Sequence, residues 1–230
     1  MPHVSNFMYQ GDKIPSVNDV TGSLSQDGLL RNFYRKLGFK EADKISSEAR
    51  KAGTKLASIF ERYRQTGKTG NISTLYKACV KNWLRWYENQ SYEITEDRWV
   101  EPHLVNTREL YHGSPDVIIN QNGNVALGDD KLKKRFADYK LLMNEHAYAM
   151  CDSYENPITK EIKKLPWEPP IPLFWFWTYD PKSGDLFPVQ HVFHEEIYSD
   201  FLMCKSMLGV NKKAEAYFRR FAVLLPSQSE

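Results

Sequence analysis

The sequence predicts an α/β fold in which a mixed central sheet is flanked by helices, with a helical amino-terminal portion. Three observations predict it. Helical spacing dominates residues 24–90, short apolar runs separated by turn residues follow in 95–155, and two further apolar runs precede helical sequence in 171–225. The order is therefore helices, three strands, a helix, two strands and helices. Because the sequence has no repeat and no low-complexity linker, we expect one domain over residues 1–230.

The amino-terminal portion is predicted to contain three helices. The first has apolar residues at helical spacing from Leu29 to Leu37, and Gly38 is a plausible stop. The second runs from Ala42 to Gln65 and contains Gly53, which favours either a close backbone contact or a break between two helices. The third, from Ile72 to Asn89, is amphipathic and rich in aromatic residues.

The hairpin between residues 115 and 131 is the most informative part of the chain. Val117 to Ile119 form its first apolar strand, and Val125 to Leu127 form its second. Asn122-Gly123 between them supplies the positive-φ residues that a tight hairpin turn requires. Because a hairpin brings its open ends together, Asp116 and Asp129 are expected to lie side by side.

The remaining elements follow from local composition. Arg98 to Val105 alternates like a strand, and Lys133 to about Tyr154 is predicted as a long helix. The proline-rich stretch 165–172 cannot form regular structure and is predicted as a loop. A second hairpin is predicted to join residues 172–180 to residues 186–193, and the chain ends in one or two helices.

Composition excludes several classes of protein. The net charge of +2 is close to neutral, so affinity for a polyanion must come from local patches. Three scattered cysteines argue against a disulfide framework, a zinc finger or a cysteine-ligated iron–sulfur cluster. The sequence contains no secretory signal, no apolar run long enough to span a bilayer and no Walker loop, so a soluble intracellular protein without membrane or ATPase function is expected.

The acids at the mouth of the hairpin indicate a metal site. Asp116 and Asp129 on neighbouring strand ends can share a magnesium ion, which prefers hard oxygen ligands. Strand alternation places Lys131 on the face of Asp129 and turns the Asp130 side chain away, which leaves the Asp130 carbonyl as a further ligand. A lysine beside a metal-bound water can orient or deprotonate that water and offset charge on a phosphate. The alternative is a solvated surface turn.

These residues resemble the PD-(D/E)XK nuclease superfamily and, within it, the RecB-like exonuclease family with its phage and mitochondrial members. Pro115-Asp116 and Asp129-Asp130-Lys131 match the PD and D-x-K motifs. The resemblance extends over about Ile14 to Tyr148. Its further matches are Ile14-Pro15-Ser16-Val17, Gly53-Thr54 followed by Glu61, Glu101 as an upstream acid, and Asn144 with Tyr148 as a Q-x-x-x-Y-type motif.

The resemblance implies a restriction-endonuclease-like fold and a metal-dependent DNA exonuclease that acts on DNA ends or single strands in replication, recombination or repair, leaving 5′-phosphate and 3′-hydroxyl products. It implies Mg²⁺, with Mn²⁺ as an alternative, and replication or recombination proteins as candidate partners. The catalytic residues would be Asp116, Asp129 and Lys131. Glu101 and Asp130 would join Asp116 and Asp129 at the metal, Glu61 would support them, and Asn144 and Tyr148 would contact substrate.

Two departures and several alternatives accompany this interpretation. The histidine ligand of the bacterial branch would fall at Ala57, and Asn144 replaces the usual glutamine. The basic run Lys133, Lys134 and Arg135 would either bind backbone phosphates or form a solvated helix face. A structure-specific or site-specific endonuclease on the same core, and a non-catalytic DNA-binding module, are the alternative functions. The source stays open among bacterium, phage and organelle.

Overall fold

The structure is a computed structural model that describes residues 6–22, 35–89, 92–93, 99–132, 139–180 and 182–222. For residues 92–93 and 210–222 it describes the backbone alone. Its helices are Val17–Thr21 (α1), Phe39–Thr66 (α2), Lys77–Tyr87 (α3), Tyr139–Ala149 (α4) and Glu195–Ala222 (α5), with a 3₁₀ turn at Thr74–Tyr76. Its strands are Met8–Tyr9 (β1), Asp12–Lys13 (β2), Tyr92–Glu93 (β3), Leu104–Asn106 (β4), Tyr111–Gly113 (β5), Val117–Gln121 (β6), Asn124–Lys131 (β7), Ser153–Glu155 (β8), Ile162–Lys164 (β9), Leu173–Tyr179 (β10) and Leu186–Val192 (β11).

A five-stranded mixed sheet forms the centre of the fold. Its strand order is β11-β10-β7-β6-β3. The β6–β7 and β10–β11 hairpins are antiparallel, whereas β10 runs parallel to β7 with Phe176 opposite Asp129. Both predicted hairpins are therefore confirmed, as is the mixed central sheet flanked by helices.

Side-chain alternation gives this sheet two buried faces. On β7, Leu127 packs with Tyr148 of α4 and with residues of α1 and α5, whereas Ala126 packs with residues of α2 and α3. On β10, Phe174 and Phe176 belong to the first of these clusters, while Trp177 and Tyr179 belong to the second. We call these the α4 face and the α2 face of the sheet.

A second, four-stranded sheet of order β5-β4-β8-β9 was not predicted. Each of its strands has three residues. Such strands are too short to show a period of two in the sequence. The predicted strand from Arg98 to Val105 is confirmed only in part. Leu104 and Val105 lie in β4 and Val100 forms an isolated bridge with Val117, but Glu101 lies in a bend with φ of 49° that interrupts the strand.

Two helix predictions also need correction. The long helix predicted from Lys133 to Tyr154 is described only from Tyr139 to Ala149, since residues 133–138 lie outside the described part of the chain and β8 occupies Ser153–Glu155. Gly53 marks neither a break nor a close contact, because α2 continues through it and, beyond its own turn of helix, no atom of the described residues lies within 4 Å of the position a Cβ would take.

Sequence signals explain where two helices begin or end. Ser16 caps α1 by accepting a hydrogen bond from the Asp19 backbone N–H, and the Asp19 side chain accepts one from the Ser16 backbone. Helix α2 ends at Gly67, whose φ of 67° is a left-handed conformation that glycine adopts readily. No helix within the described ranges has the length and apolar character needed to cross a membrane.

Candidate active site

The β6–β7 hairpin brings the predicted acids together. Asn122 and Gly123 both have positive φ, as a tight two-residue turn requires. Val117 pairs with Gly128, so the chain places Asp116 beside Asp129 at the open end. The backbone N–H of Asp130 donates a hydrogen bond of 2.7 Å to Asp116 Oδ2, which anchors the first acid to the second strand.

Lys131 joins these two acids. Its Nζ lies 2.6 Å from Asp129 Oδ1 and 3.9 Å from Asp116 Oδ2. Asp129 is buried, with 4% of its surface exposed, whereas the Lys131 side chain is 37% exposed. An ammonium group that contacts two carboxylates and still reaches solvent can interact with an anionic substrate.

Gly128 is required for the packing immediately before Asp129. A Cβ at this position would lie 2.3 Å from a ring atom of Trp177 and 2.8 Å from Cγ1 of Val117. These distances are well below ordinary contact, so any larger residue would displace β10 or β6. The glycine therefore lets the two neighbouring strands close tightly beside the acids.

The side chain of Asp130 lies on the face of the sheet opposite to Asp129 and Lys131, as strand alternation predicted. Its Oδ1 accepts a hydrogen bond of 2.9 Å from the Tyr179 hydroxyl, and its Oδ2 lies 2.7 Å from Nη1 of Arg64. The side chains of this ion pair are 3% and 2% exposed, respectively. The side chain of Asp130 is thus engaged on the α2 face, and its carbonyl as a metal ligand stays a prediction.

Sequence reasoning missed Arg64. Its guanidinium carbon lies 5.2 Å from the ring centroid of Trp83 and 5.3 Å from that of Trp177, so two indoles sandwich a buried cation. Nε and Nη2 have no hydrogen-bond partner within the described structure, so the contact with Asp130 carries most of the charge compensation. The available signal was its position: Arg64 lies four residues after Phe60, on the apolar face of α2.

Glu101 and Glu61 lie close to this cluster. The Glu101 backbone N–H donates a hydrogen bond of 2.9 Å to the Asp116 carbonyl. Partial burial raises the pKa of the Glu101 carboxyl, and the negative charges of Glu61 and Asp116 raise it further. Glu61 Oε1 also accepts a hydrogen bond of 3.3 Å from Gln65. The structure thus places Glu101 beside Asp116 and Glu61 within electrostatic range of Glu101, while the roles of both acids at a metal stay predictions.

Asn144 and Tyr148 are both buried on α4. The Asn144 amide joins α4 to α1, because its Oδ1 accepts a hydrogen bond of 2.8 Å from Thr21 and its Nδ2 donates one of 3.0 Å to Asn18. The Tyr148 ring packs over Gly113, where a Cβ would lie 2.5 Å from a ring atom. Substrate contact by either side chain stays a prediction. Lys133, Lys134 and Arg135 lie outside the described residues.

Glu145 was also missed by sequence reasoning. It is 1% exposed, and neither of its carboxylate oxygens has a hydrogen-bond partner in the described structure. Burial raises the pKa of this carboxyl well above its usual range, and the negative charge of Asp129 adds to the effect. The sequence signal available was an acidic residue in the middle of a largely apolar helix. In the structure, almost all positions of that helix from Leu141 to Ala149 are buried.

The electrostatics of the cluster follow from burial and from crowded negative charge. Burial raises the pKa of Asp129 to about 7, against the opposing effect of the Lys131 ammonium. Burial opposes the charged form of Lys131, but Asp129 and Asp116 outweigh it and raise the pKa of the lysine. Lys131 is therefore a cation at neutral pH, which favours orienting a water over accepting its proton.

The residues fit a divalent cation chemically, although the described residues hold no ready-made group of three or more metal-ligating side chains. Asp129 Oδ2 is buried without a hydrogen-bond partner, as are both oxygens of Glu145. Buried carboxylate oxygens need compensation, and hard divalent cations such as Mg²⁺ bind oxygen ligands of this kind. Binding of such an ion by Asp116 and Asp129 stays a prediction.

Comparison with known proteins gave structural matches alone. No family model matches the chain, and no curated protein matches it. Crystal structures of LHK-Exo, an alkaline exonuclease from Laribacter hongkongensis, are similar at 14% sequence identity. The complex with dAMP has a TM-score of 0.45 and covers 91% of this chain and 93% of that chain. A second structure has a TM-score of 0.43 and covers 90% of each chain. At this similarity, a functional assignment must rest on the site's own residues.

Proposed function

We propose that this protein is a magnesium-dependent DNA exonuclease that hydrolyses phosphodiester bonds at the mouth of the β6–β7 hairpin. The observation that carries the proposal is the contact of Lys131 with two acids, at 2.6 Å from Asp129 and 3.9 Å from Asp116. The motifs resembling the PD-(D/E)XK superfamily coincide with this cluster. The expected roles are in replication, recombination or repair.

The chain's own residues supply positioning and charge. Asp116 is anchored by the Asp130 backbone N–H, and Asp129 is fixed in a buried position at the end of the same hairpin. The Lys131 ammonium can donate hydrogen bonds to an attacking water and to a phosphate oxygen, and it offsets negative charge that develops there. In hydrolysis, the water oxygen bonds to phosphorus and loses a proton to solvent. The bond between phosphorus and the 3′ oxygen breaks, and that oxygen takes up a proton, which leaves a 5′-phosphate and a 3′-hydroxyl.

A divalent cation held by Asp116 and Asp129 would supply Lewis acidity to the phosphate and would lower the pKa of a bound water. Glu101 is a candidate for a further ligand, because its backbone N–H donates a hydrogen bond to the Asp116 carbonyl. Mg²⁺ is the proposed ion because the candidate donors are hard oxygens, and Mn²⁺ accepts the same ligands.

An exposed basic face on α2 supports a polyanionic substrate. Five cations recur at spacings of four and seven residues, which places them along one side of a helix. They are Lys40, Lys44, Lys51, Lys55 and Arg62, and all five are exposed. The side of α2 that contains Leu56 and Phe60 packs into the core instead. Cations spaced along a helix can contact successive backbone phosphates without reading base sequence.

The proposal is tested by timed digestion of end-labelled linear DNA and of closed circular DNA with Mg²⁺. We expect linear DNA to be degraded and circles to stay intact, since an exonuclease requires an end. Cleavage of circles would instead support the endonuclease alternative. Asp116→Asn and Lys131→Ala should each reduce cleavage by about 10²–10³-fold.

Lys164→Ala is the matched control, because Lys164 also pairs with an aspartate, at 3.2 Å from Asp152, but lies in the second sheet. It should leave cleavage unchanged. Full cleavage by both site variants would refute the mechanism, and absence of any cleavage by the folded wild-type protein would favour the DNA-binding module.

A further inference from the structure

Helix α3 carries a row of exposed cations that the candidate active site does not use. Lys77, Lys81 and Arg85 recur every four residues and therefore lie on one side of the helix, which we call the α3 row. The opposite side packs into the core around Trp83. No described acid forms an ion pair with any residue of the α3 row, whereas Lys164 in the second sheet pairs with an aspartate. The α3 row therefore presents positive charge to solvent.

A hollow of about 600 Å³ opens beside the α3 row, between α3 and the start of β11. It combines an indole, a guanidinium and two carboxamides, which are groups that stack on unpaired bases or bind their edges and phosphates. The residues that line this α3 hollow are Asn82, Arg85, Trp86, Asn89, Asp185 and Leu186. The half-buried Trp86 ring makes edge contacts with the rings of Trp175 and Trp177, at centroid distances of 5.5 and 5.7 Å. These contacts hold an aromatic ring in place next to Arg85.

Two acids border the α3 row, but protein hydroxyl groups engage both. Asp185 Oδ2 accepts a hydrogen bond of 2.6 Å from Ser183, and Glu88 Oε1 accepts one of 3.0 Å from Tyr63. Neighbouring cations of the row stand about 6 Å apart along the helix axis, because four residues of an α-helix rise by that amount. Cations at this spacing can contact successive backbone phosphates. Charge and spacing thus favour a nucleic-acid strand over a small anion.

Strand pairing places the α3 hollow close to the candidate active site. Lys131 is opposite Thr178 of β10, and Thr178 is opposite Phe187 of β11. Because neighbouring strands lie about 4.8 Å apart, two spacings put the start of β11 about 10 Å from the Lys131 backbone. Asn82 fixes α3 here, since its Nδ2 donates a hydrogen bond of 2.9 Å to the Gly184 carbonyl in the β10–β11 turn. A flexible strand that passes Lys131 can therefore reach α3 around the end of the sheet.

We propose that the α3 row and the α3 hollow hold single-stranded DNA, with phosphates along the row and a base against Trp86. This inference rests on the proposed function for the identity of the ligand, and it adds a contact surface on the α2 face of the sheet. Positive surfaces combined with aromatic rings are characteristic of proteins that bind single strands without reading their sequence. Duplex DNA fits less well, because a paired and stacked base cannot turn its ring face toward an indole.

Binding of a fluorescent oligothymidylate, measured by anisotropy in EDTA, tests the α3 row without metal-dependent cleavage. The test variant replaces Lys77, Lys81 and Arg85 together by alanine. We expect it to weaken binding at low salt by at least about tenfold, because phosphate contacts supply most of the affinity for a nonspecific strand. The slope of log K against log salt should fall by about 2, since each single-strand phosphate contact contributes about 0.7. An unchanged slope would refute the inference.

The matched control replaces exposed lysines of the second sheet and its turn by alanine, with the same change in net charge. They are Lys160, Lys163 and Lys164, whose side chains are 70%, 46% and 74% exposed. Their substitution should leave affinity and slope unchanged. An equal loss in the control would mean that net charge, and not the α3 row, binds the strand. If the α3 variant fails to fold, Arg85→Ala alone should reduce the slope by about 0.7.

A change of ligand tests the base contact. An abasic oligonucleotide of the same length keeps the phosphates and removes every base, so the wild type should bind it at least about fivefold more weakly than oligothymidylate. Trp86→Leu, which keeps an apolar side chain against Trp175 and Trp177, should lose most of this difference. Equal wild-type binding of the two ligands, or a full difference retained by Trp86→Leu, would overturn the placement of a base at Trp86.

A blunt duplex tests the preference for single strands. Alanine substitution of the α3 row should cost less affinity for the duplex than for the oligothymidylate. An equal loss would identify a general phosphate-binding surface and contradict the inference.

The outcomes separate this inference from the proposed function. If linear DNA is degraded but the α3 variant binds single strands like the wild type, the inference is wrong while the nuclease proposal stands. If the folded wild type binds single strands, with the expected losses in the variants, but cleaves no DNA, the α3 surface is supported and the nuclease proposal is wrong. If the wild type binds no single-stranded DNA, the inference is wrong whatever the protein cleaves.

Discussion

The buried pair of Arg64 and Asp130 provides the sharpest test of how the site is held. Replacing Arg64 by Met keeps an unbranched side chain of similar length between Trp83 and Trp177 but removes the charge. Asp130 would then lose its cation while 3% exposed, with the Tyr179 hydroxyl as its remaining side-chain partner. Removing one member of a buried ion pair typically costs 3–5 kcal/mol, so we expect Arg64→Met to lower the free energy of unfolding by about 4 kcal/mol.

A double-mutant cycle isolates the interaction from the packing. Asp130→Asn keeps an oxygen for the Tyr179 hydroxyl and leaves Arg64 uncompensated, so it should also destabilise the protein strongly. The double variant has no unpaired charge. It should be less destabilised than the sum of the single variants by about 2–3 kcal/mol.

Urea denaturation followed by far-UV circular dichroism at neutral pH measures these free energies. Arg50→Met is the control, because Arg50 is exposed on the same helix, and it should change stability by less than about 0.5 kcal/mol. Additive effects of the two site variants, or a loss below about 1 kcal/mol for Arg64→Met, would refute the view that the pair stabilises the fold through charge compensation.

Three further predictions follow from packing, protonation and surface charge. Gly128→Ala should destabilise the protein by about 1–3 kcal/mol in thermal denaturation, because its Cβ would lie 2.3 Å from the Trp177 ring; an unchanged Tm would contradict the tight packing. Burial lowers the pKa of His146 from 6.5 to about 4. Between these two pH values the imidazole is protonated in the unfolded chain but neutral in the folded protein. The contribution of His146 to stability should therefore fall by up to about 3 kcal/mol as pH drops from 6.5 to 4, and in urea titrations at several pH values His146→Gln should depend less on pH than the wild type. Lys51→Ala combined with Lys55→Ala should weaken DNA binding at low salt and reduce the slope of log K against log salt by about 1–2; an unchanged slope would remove α2 from the DNA contact surface.

The local elements of the site were predictable because their signals are short-range. The β6–β7 hairpin combines two apolar strands with Asn122-Gly123, and Asp129-Asp130-Lys131 follows without interruption. A period of two then assigns Asp129 and Lys131 to one face and Asp130 to the other. The observed partners of Asp130 on the α2 face agree with that assignment.

Arg64 and Glu145 were not predictable in the same way, because their partners are distant in sequence. Arg64 reaches Asp130 across 66 positions of the chain, and only the packing of α2 on the sheet brings them together. An arginine among apolar helix positions does not by itself identify its partner. The second sheet was missed for a related reason, since strands of three residues carry no periodic signal and are defined by pairing, as between Leu104 and Tyr154.

The two faces of β7 explain why residues outside the candidate ligand set matter to the site. A strand cannot rotate one side chain to the opposite face without rotating its neighbours. Arg64 and Tyr179 fix the orientation of Asp130 on the α2 face, and that constraint holds Asp129 and Lys131 toward α4. Asp116 is held to the same strand through the Asp130 backbone N–H. The orientation of the candidate catalytic groups therefore depends on an ion pair on the far side of the sheet, and Arg64 acts as a positioning residue.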